Sequence, residues 1–143
     1  VGDGVVSGLG ELLERVRSAK GPDRKVDALI EVEVRRQEAY RVGLNDQQRA
    51  YWTATVDGLV YDSATRYDAP RLSASIDAAL ALVERVLPGW RYDIHSPRFG
   101  RQFEGVLMDG DHASRRIDVA TATTAPLAIL AALLSALIAQ EPK

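Results

Sequence analysis

Apolar positions along this chain change their period, and the clearest signal lies near its end. Trp90, Tyr92 and Ile94 alternate with Arg91, Asp93 and His95. Phe103, Gly105 and Leu107 alternate with Glu104, Val106 and Met108, and Ile117 and Val119 with Arg116 and Asp118. Period two predicts three antiparallel strands with one strongly apolar face. From Pro126 to Ala139 the step becomes three and four. Leu127, Leu130, Leu133, Leu134, Leu137 and Ile138 form a stripe, with Ala128, Ala132, Ser135, Ala136 and Ala139 behind it. This pattern predicts a long helix roofing the meander, capped by Thr123 or Thr124 and entered through Pro126. A membrane span needs about 20 apolar residues, so the shorter run reads as a core helix. Val106 and Met108 leave the second sheet face only partly polar, which predicts a covering helix or second subunit there too.

Upstream, Ser7 is a candidate cap for a first helix with Leu9, Leu12, Leu13 and Val16 on one face, ended by Lys20-Gly21. Pro22 is expected to open a second helix, with Asp23 in its first turn and Val26, Leu29, Ile30 and Val34 on the buried side. Its other positions interleave Arg24, Arg35, Arg36 and Arg41 with Asp27, Glu31, Glu33 and Glu38, the signature of a salt-bridged solvent face. Glu38 to Gln48 reads as a polar connector with some helical tail. Asp57-Gly58 between Trp52–Val56 and Leu59–Asp62 predicts a hairpin through a type I′ turn. Ser63 to Arg71 reads as a loop. Ser73 or Ser75 then caps a third helix whose core side is Ile76, Leu80, Val83 and Leu87, widened by Leu82 and Val86, and ended by Pro88-Gly89.

The order α-α-β-β-α-β-β-β-α predicts an α+β layered α/β/α sandwich. It would have four helices and an antiparallel sheet of three to five strands, the meander plus the Asp-Gly hairpin. One domain spans residues 1–143: a helical hairpin over 1–37, connector and β-hairpin over 38–71, and the α-β-β-β-α core over 72–140. Composition adds exclusions. The chain has 143 residues, a net charge of −2 and no cysteine. Bulk binding to a nucleic-acid backbone is disfavoured, and disulfides, thiolate catalysis and Cys-ligated zinc are excluded. The first residues lack a secretory pattern, which makes a cytoplasmic location in a bacterial host the expectation.

Four segments carry a family resemblance: Gly21-Pro-Asp-Arg-Lys-Val-Asp-Ala28, Ser75-Ile-Asp-Ala-Ala-Leu80, Pro88-Gly-Trp90 and Ala120-Thr-Ala-Thr-Thr-Ala-Pro-Leu-Ala-Ile129. Together they resemble the phage ABA-sandwich domain of small, mainly prophage-encoded proteins. The likeness runs between Leu9 and Ala139, with nothing matched over Glu38–Arg66. It implies a phage origin and helices on both faces of the sheet, and it supplies no site residues.

Candidate chemistry is sparse. His95 and His112 fall at opposite ends of a three-strand meander, so they do not converge on one metal. Asp109-Gly-Asp111 beside His112 is first of all turn chemistry. Asp93, Glu104 and Asp118 are expected together on the outer sheet face, with Arg91 and Arg116 as cross-strand ion partners. A positive constellation remains. Arg98 and Arg101, in the loop after the first meander strand, are expected beside Thr121, Thr123 and Thr124 at the start of the long helix. Free amides, hydroxyls and guanidinium groups there suit an anion or phosphate, with Phe99 and Phe103 as stacking candidates. Trp52 and Tyr61, grouped with Tyr51 and Tyr67, are candidate core or interface aromatics.

No Walker loop, dinucleotide fingerprint, nucleophile elbow or zinc signature is present. The expectation is therefore a small non-enzymatic phage or prophage accessory protein that acts by binding, without a cofactor and as a homo-oligomer. Its more specific form sequesters a phosphate-bearing, nucleotide-derived immune signal as an anti-defence factor. The alternatives are an interaction module for a host protein or virion component, and a small hydrolase using the outer-sheet carboxylates.

Overall fold

The last helix is buried on all sides, and the other elements are arranged around it. The structure is a computed structural model that describes residues 8–43, 52–97, 102–109 and 117–140. Its elements are α1 (Leu9–Ser18), α2 (Arg24–Arg41), β1 (Thr53–Ala54), β2 (Leu59–Tyr61), β3 (Arg66–Asp68), α3 (Ile76–Val86), β4 (Arg91–His95), β5 (Phe103–Met108), β6 (Ile117–Ala122) and α4 (Ala125–Ala139). The fold is α+β, with four helices and two antiparallel three-stranded sheets, β1-β2-β3 and β4-β5-β6.

Helix α4 packs on β5 and β6 with one side and on α1 and α3 with the other. Thr124 caps it, its Oγ1 accepting from the Leu127 amide at 3.4 Å, and Pro126 occupies the first turn. Ten of its residues, from Leu127 to Leu137, are buried, alanines as well as leucines. Each fully buried leucine contributes on the order of 2 kcal/mol of transfer free energy. The middle stratum of the molecule is therefore this helix, with the meander beneath it and α1 and α3 above. The outer face of the meander carries Ile117 at 57% and Val119 at 50% exposure, so no described helix covers it.

Register explains which strand residues face the helix. Leu107 pairs with Tyr92 and Asp118, Gly105 with Ile94 and Ala120, and Phe103 with Ala122. Partners across a ladder share a face, and these three rows look inward. A Cβ on Gly105 would overlap the Ala128 carbonyl oxygen and stand 2.7 Å from its carbon. Sheet and helix thus meet backbone to backbone, with Ile94 across the ladder on one side of that contact and Ala120 on the other. This reverses the expected facing of β6. Ile117 and Val119 point outward, while Asp118, at 8% exposure, lies on the helix side.

Helix α2 joins the two halves. One flank contributes Val26, Ile30 and Val34 to the main core, and the other packs Ala28 against Val60 and Ala69 of the small sheet. That sheet has a third strand, β3, where a loop is expected from the sequence. The hairpin loop also differs from a type I′ turn. Thr55 N–H donates to Leu59 O at 3.0 Å, and Gly58 N–H donates back to Thr55 O at 3.2 Å. Gly58 sits at φ +91°, so the connection is a three-residue loop closed by a left-handed glycine. Two further boundaries move. Asp23 stands at the N-cap of α2, its carboxylate accepting from Val26 N–H at 3.2 Å, because Pro22 lies outside the helix. In α3, capped by Ser75, Ile76 is 40% exposed and the core side is Ala79, Leu82, Val83 and Val86.

Gly105→Ala is expected to destabilise the fold by about 2–3 kcal/mol, the cost of forcing a methyl into a closed contact. Gly10→Ala, on an open helical position, should instead be neutral or stabilising by up to about 0.5 kcal/mol. Urea midpoints of the two variants measure both effects.

Candidate functional site

Two polar clusters and one open sheet face hold the functional groups of the described residues. The first cluster ties the start of α2 to the segment before α3. Asp27 is fully buried, and its two oxygens have separate partners: Arg24 Nη1 donates to one at 2.7 Å and Ser73 N–H to the other at 2.7 Å. Asp23 N–H donates to Ser73 Oγ at 2.7 Å, and that hydroxyl is 3.1 Å from the Asp23 carbonyl it donates to. Arg24 Nη2 donates to the Ala69 carbonyl at 2.8 Å. The guanidinium lies across Gly58, where a Cβ would come within 2.7 Å of its carbon. The Gly21–Ala28 segment is thus a structural clamp, and every oxygen of its buried carboxylate is occupied.

The second cluster stands further along α2. Arg85 of α3 grips Glu38 with two hydrogen bonds, 2.9 and 2.6 Å, and reaches the buried Glu31 at 3.1 Å. The bidentate contact holds the Glu38 carboxyl below its ordinary range and raises Arg85 above its own. Tyr67 Oη donates to Glu31 at 2.7 Å and accepts from Arg35 at 3.1 Å. Burial, together with the Glu31 hydrogen bond, pushes the Tyr67 phenol up to about 12. Arg35 stacks over Trp52 at 4.2 Å and over Tyr67 at 5.3 Å. The Trp52 indole N–H, buried there, finds no acceptor among the described residues. Asp62, toward which it points, is held by the Ala64 and Thr65 amides at 2.8 and 2.6 Å, and the Ala64 bond leads in lowering its carboxyl.

These clusters correct the expected solvent face of α2. Asp27, Glu31 and Glu33 are buried, because α2 has neighbours on both flanks. A buried carboxylate with both oxygens satisfied by fixed donors is a packing device.

The third feature is the outer face of the meander. Its rows are Arg91–Met108–Ile117, Asp93–Val106–Val119 and His95–Glu104–Thr121. Polar groups gather on β4, including a His95 Nδ1 to Glu104 Oε1 contact of 3.0 Å. Val106, Met108, Ile117 and Val119 form an apolar patch on β5 and β6. Only Asp93 and Glu104 of the three proposed carboxylates share this face; Asp118 is on the other, for the register reason given above. The acid–base grouping is therefore not assembled.

Arg98, Phe99, Arg101, Asp111, His112 and Arg116 lie outside the described residues, as does Tyr51. Of the other anion-site candidates, Thr124 is spent on the helix cap, Thr123 is exposed, and Thr121 is half-buried in the outer row with Glu104. Pro126 has no N–H and Ala128 donates to the Thr124 carbonyl, which leaves Ala125 as the one first-turn amide without an acceptor among the described residues. Phe103 packs against the core, Trp52 lies half-buried under Arg35, and Tyr61 is 38% exposed with Arg66 beside its ring at 5.9 Å. Val106 and Met108 carry a sequence signal for the outer apolar patch, while period two alone leaves the facing of Ile117 and Val119 open, and the structure turns them outward beside it.

Among the described residues no cluster of three or more metal-binding side chains occurs, and no helix is long and apolar enough to cross a membrane. The two best-formed depressions are shallow. One of about 520 Å³ lies between Glu11, Arg15, Asp23 and Val26; one of about 190 Å³ lies beside β6. The chain matches no protein-family model, no curated protein and no solved structure. The class these observations define is a small α+β domain with an uncovered, half-apolar sheet face.

Asp27→Ala should cost about 3 kcal/mol or more, since it strands Arg24 beside the Gly58 turn and frees the Ser73 amide; denaturant unfolding measures it. The Tyr67 phenol has the opposite linkage to a depressed acid. Its raised folded pKa makes its contribution complete below pH 10, the ordinary value, and lost as pH rises toward about 12. Unfolding midpoints recorded across that window should fall more steeply in the natural chain than in Tyr67→Phe.

Proposed function

We propose that this protein acts by binding, and that its working surface is the uncovered face of the β4–β6 meander, docked against another protein. The observation that carries this reading is the exposure of Ile117 and Val119 beside Val106 and Met108, bordered by Arg91, Asp93, His95 and Glu104. An apolar patch bordered on one side by charges of both signs suits a protein partner. Tightly satisfied polar clusters elsewhere favour a rigid scaffold over a reaction centre. A phage or prophage origin is what the family resemblance implies, and a host protein is the partner this reading proposes.

The narrower form, capture of a nucleotide-derived immune signal by phosphate contacts at the start of α4, has less support: one free amide and the Thr123 hydroxyl. Thermal-shift assays against cyclic oligonucleotides and ADP-ribose address it, and a stabilised transition that vanishes in Arg98→Ala would establish it over protein docking. For the docking reading, the immobilised chain should retain a specific host protein. Met108→Glu should weaken that retention at least tenfold at unchanged thermal stability, about 1.4 kcal/mol of binding free energy. Equal retention by the variant would remove the face from consideration.

A further inference from the structure

We propose, resting on the docking reading of the outer sheet face, that the element it receives is an amphipathic α-helix laid along β5 and β6, with a basic flank turned toward β4. The apolar strip is two strands wide. Val106 and Met108 supply it from β5 and Ile117 and Val119 from β6, while β4 adds only Arg91, Asp93 and His95. Two strands at ~4.8 Å spacing, with their side chains, form a strip roughly 10 Å wide. A helix with its side chains measures about 10–12 Å across. From Ile117 to Thr121 the strip runs about 14 Å, the rise of roughly nine helical residues. The same two strands already carry a helix, because α4 lies on β5 and β6 from the other side and barely touches β4. Met108, the one methionine in the chain, brings an unbranched, polarisable side chain that adapts to an irregular apolar surface.

Other occupants fit worse. A second sheet would extend over β4 and take the exposed charges of Arg91 and Asp93 out of water. A copy of this chain meets the same obstacle. A two-fold axis along the strands lays β4 over β6 of the other copy, with Arg91 above Ile117 and Asp93 above Val119. An axis across the strands at the central row sets Asp93 against its own copy, a like-charge pair. A helix on β5 and β6 leaves the β4 charges at its side, in water.

Those charges select the flank of the helix. Asp93 makes no salt bridge among the described residues, and Glu104 meets the His95 ring at 3.0 Å. Two carboxylates against Arg91 on that side of the strip favour lysine or arginine on the adjoining edge of the partner.

Titration of the full chain with synthetic peptides, read at the Met108 methyl by nuclear magnetic resonance, tests this. The probe is a peptide of about 15 residues with leucines at i, i+3, i+4 and i+7 and lysines on one flank. It should shift the Met108 signal with a dissociation constant on the order of 100 µM, as suits so small a contact. Glutamates in place of the lysines should weaken binding about threefold. A central proline, or the same composition rearranged into strict alternation, should abolish it. Val119→Lys in the protein should abolish it as well, at unchanged thermal stability, and Ile117→Lys serves if that variant does not fold. No saturation by the leucine–lysine helix at roughly ten times that concentration would overturn the proposal. So would equal binding of the alternating or proline-broken peptide, tighter binding of the glutamate form, or undiminished binding by the lysine variants. A host protein retained through Met108 whose contact segment, mapped by cross-linking at Val119, is extended sinks the helix alone. A chain that binds the helical peptide and retains no host protein sinks the docking reading alone.

Discussion

The contact between Gly105 and the Ala128 carbonyl governs the rest of the structure. A helix normally rides about 10 Å above a sheet, separated by a layer of side chains. Here one strand position has no side chain, and the helix backbone descends onto it. The approach buries α4 deeply enough for α1 and α3 to close over its other side, which accounts for a helix with no exposed flank between Leu127 and Leu134. It also dictates the inner row of β6, where alanine is admitted and isoleucine is not. The apolar residues of that strand are left facing outward, and the uncovered patch follows from this exclusion.

A second constraint is polar. Helix α2 has apolar neighbours on two flanks, so its charges are enclosed between them. Asp27 bridges Arg24 to the Ser73 amide, and Glu31 is shared by Tyr67 and Arg85. Each buried carboxylate costs several kcal/mol in lost hydration, recovered only when all its lone pairs find donors. Asp27 finds donors in Arg24 and in the Ser73 amide before α3, and Glu31 in Tyr67 of the small sheet and Arg85 of α3. They therefore lock those elements to α2 with a directionality that apolar packing lacks.

The outer sheet face is the third feature. An open sheet face with apolar residues on β5 and β6 and charges of both signs along β4 suits association with a flat macromolecular partner. The apolar patch arises from the way α4 sits on the meander. The binding role proposed for this protein is thus a consequence of its packing.

Local pattern alone determined a good deal. Alternation from Trp90 to Val119 and the leucine and alanine run after Pro126 specify three strands and a helix, because period and capping are properties of neighbouring residues. Asp57-Gly58 marks a hairpin, Ser75 and Thr124 mark helix starts, and the α+β class follows. Tertiary structure decided what period two leaves ambiguous. Both faces of β6 contain apolar residues, and only the closeness of α4 at Gly105 chose Ala120 and Ala122 over Ile117 and Val119. It also decided that the charged positions of α2 are interior, since no sequence window shows that β1–β3 will fold back onto them. The exposed patch depended on that long-range choice, which is why the sequence alone could not locate it.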